Sequence, residues 1–143
     1  MSGGILFSWP QRVYYQHTDA GGVVFHGDYL NFMEAARAEL LRSMGFNVGE
    51  LARTQGVVFV VHKLQITYLK PARLGDALET TVRCLRVGGV RLVLEQAVVR
   101  DGETLASAQV TLACVHAADQ RPLAIPKVIK DAFQQRASAH AAD

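Results

Sequence analysis

The chain has 143 residues, of which 50% are hydrophobic and 20% are charged. These fractions exclude a disordered chain, and the length predicts one domain with a core that needs no disulfides. The formal net charge of +2 is too small for a dedicated nucleic-acid binder, and no apolar run is long enough to span a bilayer. We therefore predict a single domain over residues 1–143, with its core at about 10–125 and a C-terminal tail at 126–143.

The first residues lack the basic and long apolar regions of a secretory signal, so we expect a cytoplasmic protein. In that reducing compartment Cys84 and Cys114 are expected to be buried free thiols. The five histidines show no close-spaced ligand pattern. The sequence therefore predicts no metal site and no bound cofactor.

The first elements are a short strand and a long helix. Residues 10–17 have strand character, and Thr18–Gly22 forms a turn that ends the strand. Asp28 is a candidate N-cap for a helix that runs to about residue 44. Apolar residues cover about 180° of this helix, which predicts that it packs against a broad surface. Arg37 falls inside the apolar arc and needs a partner.

Strand character dominates the chain from residue 57 to residue 117, after a short helical or irregular piece. Residues 57–69 alternate, and His62 falls on the same face as Val58, Val60 and Leu64, so we expect an interior histidine. Three more strands are predicted at 78–87, 90–100 and 103–116, separated by the hairpin signals Gly88-Gly89 and Asp101-Gly102. The four strands predict an antiparallel meander, followed by a short helix within 126–136.

A single helix cannot cover both faces of such a sheet. About 17 residues give a helix roughly 25 Å long, enough for one face only. The apolar strand residues that remain predict a dimer or a larger assembly of this chain.

The densest cluster of unusual residues lies between residues 14 and 30. Asp19 and His26 stand seven residues apart in a glycine-containing loop that leads into the long helix. Free backbone N–H groups and the positive end of the helix dipole can polarise a carbonyl oxygen, and a fixed carboxylate can attack it or deprotonate a water. The pattern suits acyl chemistry. An Asx turn at Asp19 and a simple helix start at His26 explain these residues equally well.

The run Tyr14–Arg37 closely resembles the signature of the hotdog-fold acyl-CoA thioesterases, in the branch associated with the bacterial Tol-Pal cell-envelope system. That signature reads Tyr-Tyr-x-x-Thr-Asp-Ala-Gly-Gly-Val-Val-Tyr/Phe-His-x-x-Tyr-Leu-x-Phe-Met-Glu-x-Ala-Arg, and every fixed position is filled here. The resemblance continues through Tyr68–Arg73 and Gly75-Asp76. It implies an α+β hotdog fold, in which a curved antiparallel sheet wraps a long helix. It also implies a homodimer or homotetramer with active sites at the subunit interface.

The resemblance further implies roles for individual residues. Asp19 would be the catalytic carboxylate, acting either as nucleophile or as general base for water. The backbone N–H of His26 would hold the thioester oxygen, and Tyr15 would position the site. Gly21 and Gly22 would let the loop approach the substrate closely. Basic residues would meet the phosphates of coenzyme A, with Lys70, Arg73 and Arg91 as the leading candidates and Arg86 and Arg121 behind them.

The expected activity is hydrolysis of acyl-CoA to a free carboxylic acid and CoA. One alternative is a non-catalytic scaffold that holds acyl groups or acyl carrier protein beside phospholipid-synthesis or envelope machinery, at the periphery of the inner membrane. A hotdog dehydratase is a third option, but the Asp loop fits the thioesterase pattern instead.

Overall fold

The computed structural model describes residues 4–141. The elements in chain order are β1 (Phe7–Arg12), a 3-10 turn (Tyr15–His17), α1 (Asp28–Ser43), α2 (Val48–Glu50), a π-helical turn (Leu51–Gln55), β2 (Val57–Tyr68), β3 (Ala77–Val87), β4 (Arg91–Arg100), β5 (Glu103–His116) and α3 (Lys127–Ala141). Among the described helices, none is both long and apolar enough to cross a membrane.

The five strands form one antiparallel sheet in the order β1-β3-β4-β5-β2. Strands β3, β4 and β5 form the predicted meander. Between β4 and β5, Asp101 and Gly102 both have positive φ, as a two-residue hairpin of the predicted kind requires. The prediction that β2 joins this meander beside β3 is wrong. β1 occupies the other edge of β3, and β2 pairs with β5 instead.

A β-bulge at His62 divides β2 into two halves. Val61 pairs with Leu112 and Lys63 pairs with Thr111, so His62 is left without a partner in the ladder. One extra residue moves all later side chains to the opposite face of the strand. The expectation of an interior His62 is therefore wrong, and its side chain is exposed.

The helix α1 packs its apolar face on the sheet, where it contacts β1, β3 and β4. Met33, Ala36 and Leu40 are fully buried there, which confirms the predicted embedded helix. Asp28 is the first helical residue, not the N-cap, because Gly27 takes the cap position and the Asp28 side chain accepts from Asn31 instead.

The predicted need of Arg37 for a partner is met inside the fold. Its Nη1 donates to Oε1 of the fully buried Gln96 at 2.9 Å, and Nε2 of Gln96 donates to the carbonyl of Met33 at 3.0 Å. Burial lowers the pKa of Arg37, and the nearby Glu34 acts in the opposite direction. This chain of hydrogen bonds ties α1 to β4.

Both ends of the chain extend the core beyond the expected bounds of 10–125. The first strand lies at Phe7–Arg12, and only a 3-10 turn follows where the strand was predicted to continue. Within the expected tail 126–143, α3 buries Ile129 and Phe133 in the core. Residues 142 and 143 lie outside the described residues.

Cys84 and Cys114 are buried free thiols, as expected, and burial raises the pKa of each.

Candidate active site

The loop between the 3-10 turn and α1 is held by backbone pairing at several points. Thr18 pairs with Val24, and Val23 pairs with Arg73 of the segment that joins β2 to β3. The Phe25 N–H donates to the carbonyl of His17 at 2.8 Å. The loop therefore has a defined shape that places its side chains against the start of α1.

His17 anchors this loop, although the sequence suggested no role for it. Its ring is buried, and Nδ1 accepts from the Tyr14 N–H at 2.9 Å. The ring also meets Phe32 of α1 edge-on, with centroids 5.0 Å apart. His17 lies inside the run Tyr14–Arg37, and this position was the one indication in the sequence that it belongs to the site. Its contact with Phe32 is visible only in the folded chain.

The carboxylate of Asp19 is exposed, and one of its two oxygens accepts hydrogen bonds from the loop. Its Oδ1 accepts from the Gly21 N–H at 2.8 Å and from the Val23 N–H at 3.4 Å, which makes the Asx turn that the sequence allowed. None of the described residues donates a hydrogen bond to Oδ2. One oxygen is therefore fixed by the loop while the other can act on a bound molecule.

Gly21 and Gly22 are each required in the loop for a different local reason. A Cβ on Gly21 would lie 3.2 Å from Asp19 Oδ1, so a side chain there would press on the carboxylate. Gly22 has φ +80°, in the left-handed region that side chains disfavour. The lack of a side chain at Gly21 therefore lets the Asp19 carboxylate lie close to the main chain. A contact of Gly21 or Gly22 with substrate stays a prediction.

His26 immediately precedes the N-cap of α1, and the N–H and the carbonyl of its main chain have different surroundings. Within residues 4–141, nothing accepts a hydrogen bond from the N–H of His26 or from the N–H of Gly27. The carbonyl of His26 accepts from the Tyr68 hydroxyl at 2.8 Å. Its exposed ring lies against Phe25, with centroids 4.2 Å apart. Two N–H donors therefore remain available at the positive end of the helix dipole.

A groove of about 290 Å³ adjoins His26. Its wall consists mainly of apolar and aromatic side chains from the loop, from α1 and from the segment after β2. The lining residues are Val24, His26, Tyr29, Tyr68, Leu69, Lys70 and Pro71. The groove can hold a largely apolar group beside the start of α1.

A second, apolar cavity of about 430 Å³ lies further along α1. Its wall includes Glu34 and Leu41 of α1, Phe59 and Val61 of β2, and Phe133 of α3. Glu34 is six residues beyond Asp28, which corresponds to about 9 Å along the helix axis. The wall of this cavity therefore begins less than two helical turns from the start of α1.

The side chain of Tyr15 extends into solvent within one chain. Its side chain is 81% exposed, and its hydroxyl bonds to none of the described residues. Its backbone carbonyl accepts from both the N–H and the hydroxyl of Thr18. The backbone of Tyr15 thus supports the loop, and its catalytic role stays a prediction.

The basic candidates for phosphate binding fall into two places. Lys70 lines the groove and forms an ion pair with Glu103, while Arg73 pairs with Val23 through its backbone and exposes its side chain. Arg91 begins β4, whose other end, Arg100, reaches the carbonyl of Pro71. Ten residues of strand span roughly 30 Å, so one chain brings Lys70 and Arg73 to the loop but not Arg91.

Asp76 fixes the segment that pairs with the loop. Its Oδ2 accepts from the Arg73 N–H at 2.8 Å and from Arg100 Nη1 at 2.7 Å. Partial burial acts to raise the pKa of Asp76, but these hydrogen bonds and the two positive charges outweigh it and lower the pKa. The carboxylate form of Asp76 therefore stabilises the segment between β2 and β3, in which Arg73 pairs with Val23 of the loop.

Residues 21–107 match the family described as the thioesterase superfamily. The chain is 43% identical to "Acyl-CoA thioesterase YbgC" of Haemophilus influenzae over 127 residues, which cover 89% of this chain and 93% of that protein. It is 44% identical to "Acyl-CoA thioester hydrolase YbgC" of Escherichia coli O6:H1 over 131 residues, or 91% of this chain and 97% of that protein.

The fold is similar to the crystal structure of a probable thioesterase from Bartonella henselae. The TM-score is 0.80 at 34% identity, and the match covers 83% of this chain and 98% of the other. This likeness and the observed helix on a five-stranded antiparallel sheet confirm the predicted α+β hotdog fold.

Proposed function

Because the chain belongs to the thioesterase superfamily, we propose that it hydrolyses acyl-CoA thioesters to a free carboxylic acid and CoA. The two curated relatives carry that activity in their names. The observation that carries the proposal is that, among residues 4–141, nothing donates to Oδ2 of Asp19 and nothing accepts from two N–H groups at the end of the same loop. A carboxylate and a pair of oxyanion donors are the parts that thioester hydrolysis needs.

In the proposed reaction, the thioester oxygen accepts hydrogen bonds from the main chain at the start of α1. The N–H of His26, with the helix dipole behind it, stabilises negative charge as the carbonyl carbon becomes tetrahedral. Asp19 either removes a proton from the attacking water or attacks the carbon itself to form an anhydride that water then opens. The carbon–sulfur bond breaks, and CoA leaves as its thiolate.

The two roles of Asp19 predict different labelling. In water enriched in heavy oxygen, label enters the Asp19 carboxylate during turnover only when Asp19 is the nucleophile and water opens the anhydride at the aspartyl carbon, because a general base forms no bond to the water oxygen. Mass spectrometry of the peptide that contains Asp19 reads the result.

Two cavities support an acyl substrate. The groove beside His26 has room for part of an acyl-CoA, and the apolar cavity near Glu34 has room for an acyl chain. Lys70, which lines the groove, and Arg73, whose exposed side chain lies on the segment that pairs with the loop, are the candidates for the phosphates of CoA. Arg91 is a candidate only from a neighbouring subunit.

A homodimer or homotetramer is supported by the free edge of the sheet. β2 is an outer strand of 12 residues, and the side chain of Val61 on it is 51% exposed. An outer strand with unpaired backbone groups readily adds a strand from a second copy. Binding of acyl carrier protein, a cytoplasmic location at the inner-membrane periphery and a Tol-Pal link are proposals supported by the resemblance of Tyr14–Arg37.

The direct test is release of the CoA thiol by the purified protein from acyl-CoAs of short, medium, long and aromatic acyl groups. Turnover of at least one class, with rates that saturate in substrate, is expected. Binding of acyl-CoA or acyl carrier protein without hydrolysis of any thioester would favour the scaffold alternative.

A further inference from the structure

Tyr68 reaches the start of α1 from the end of β2. Its hydroxyl donates to the carbonyl of His26 at 2.8 Å, and its ring meets Tyr29 edge-on, with centroids 5.3 Å apart. The Tyr29 hydroxyl accepts from the Ala72 N–H at 3.0 Å. The Tyr68 hydroxyl is therefore held by its ring contact in the position that meets the His26 carbonyl.

The carbonyl of His26 has no partner within the helix. It lies before the N-cap Gly27, so it takes no part in the i→i+4 ladder of α1, and the nearby N–H of Leu30 donates to the carbonyl of Gly27 at 3.1 Å. Of the described residues, Tyr68 alone donates to the His26 carbonyl. Without this contact, the peptide between His26 and Gly27 would lack its hydrogen-bonding anchor.

The carbonyl of His26 and the N–H of Gly27 belong to one planar trans peptide, so they point in opposite directions. A donor that fixes the carbonyl also fixes the direction of the N–H. Donation to the carbonyl polarises the peptide as well, which strengthens the N–H as a donor. Burial raises the pKa of the Tyr68 hydroxyl, with Tyr29 adding to the effect, so the hydroxyl keeps its proton.

We infer that Tyr68 is a positioning residue, whose hydroxyl orients the peptide between His26 and Gly27 so that its N–H meets the thioester oxygen. The inference rests on the proposed thioester hydrolysis and adds Tyr68 and the N–H of Gly27 to that site. It assigns Tyr68 an effect on the transition state, in which the oxygen carries charge, and little effect on binding of the ground state.

The test is the variant Tyr68→Phe, which keeps the ring and removes only the hydroxyl. We expect kcat to fall about fivefold to twentyfold, with KM changed by less than about twofold. Outright removal of an oxyanion donor typically costs about 100-fold or more in kcat, and Tyr68→Phe leaves the donor itself in place. Tyr14→Phe is the matched control, because the exposed Tyr14 lies outside the groove, and it should keep the wild-type kcat.

The outcomes separate this inference from the proposed function. If the wild type hydrolyses acyl-CoA and Tyr68→Phe keeps its kcat, the inference fails and the proposed function stands. A rise in KM that accounts for the whole loss means that Tyr68 contacts the substrate directly, which also overturns the inference. If the wild type hydrolyses no acyl-CoA, the proposed function itself fails.

Discussion

Two Asx turns in this chain share their local geometry and differ in their surroundings. In the loop before α1, Asp19 Oδ1 accepts from the N–H two residues later at 2.8 Å; in the turn after β5, Asp119 Oδ1 accepts from the Arg121 N–H at 3.0 Å. Each turn is closed by an isolated pair of bridging residues and contains a residue with positive φ, Gly22 in one and Gln120 in the other.

The second oxygen of each aspartate separates the two turns. Asp119 Oδ2 lies 3.6 Å from Arg121 Nε, whereas Asp19 Oδ2 has no partner among the described residues. Of the two, the Asp19 loop leads into a long helix, at a start where two N–H groups find no acceptor in the described part of the chain, and a groove adjoins His26. An Asx turn is therefore a means of holding a carboxylate, and its surroundings give the carboxylate a reaction to perform.

The largest effect is expected when alanine removes both the turn and the carboxylate. Asp19→Ala and Asp119→Ala should each lose about 1 kcal/mol of unfolding free energy, as for one hydrogen bond. Only Asp19→Ala should lose activity, by about 100-fold or more in kcat/KM. Urea unfolding and CoA release measure the two quantities. Equal activity losses would mean that the turns do not differ as described.

A smaller loss of activity is expected from Gly21→Ala. The new Cβ would lie 3.2 Å from Asp19 Oδ1 and displace the carboxylate without straining the backbone. Displacement of a catalytic group by a fraction of an ångström should lower kcat by about tenfold. Gly89→Ala is the control, because a Cβ there meets nothing within 4 Å. Wild-type kcat in Gly21→Ala would show that the Asp19 side chain can move away from the new Cβ without loss of activity.

Gly22→Ala should act mainly on stability. A side chain at φ +80° costs about 1 kcal/mol in unfolding free energy. Gly89→Ala again serves as the control, with a change within about 0.5 kcal/mol. Chemical denaturation monitored by circular dichroism gives both values. An unchanged free energy of unfolding in Gly22→Ala would show that the loop relaxes around this position.

The smallest expected effect is the pH dependence that Asp76 confers. Because the folded state lowers the pKa of Asp76, its contribution to stability is complete above the pKa of an unfolded aspartate, about 3.9, and is lost as the pH falls through the folded value. Wild type should therefore melt above Asp76→Asn at neutral pH, and the gap in Tm should close below about pH 4. A gap that is constant with pH would contradict this account.

Asp119→Asn provides the matched comparison for the pH experiment. The Asp119–Arg121 pair is exposed and screened by solvent, so its removal should change Tm little at any pH. The pair of variants distinguishes a carboxylate that anchors the site from one that only closes a turn.

Local sequence signals predicted the parts of the fold that depend on few residues. The hairpin at Asp101-Gly102 and the extent of α1 follow from turn chemistry and from helical periodicity, and both are confirmed. The bulge at His62 was missed because one inserted residue leaves the strand pattern intact on either side of it. The position of β2 beside β5 depends on competition among strands for edges, which no single segment encodes.

The candidate site shows the same division. The cluster from Asp19 to His26 was visible in the sequence because its members are close along the chain. The contact between Tyr68 and His26 joins residues 42 positions apart, and only the fold brings them together. The side-chain placement of Tyr15 likewise could not be read from its proximity to Asp19.

We expect the charge of Asp19 to perform chemistry beyond holding the turn. Asparagine keeps a side-chain oxygen that can accept from the Gly21 N–H but removes the charge, so Asp19→Asn separates the two roles. The deciding measurement is kcat/KM for one acyl-CoA that the wild type hydrolyses, in Asp19→Asn and in Asp119→Asn. We predict a loss of about 100-fold or more in the first variant and the wild-type value in the second. Wild-type turnover by Asp19→Asn would mean that Asp19 serves only to hold the turn.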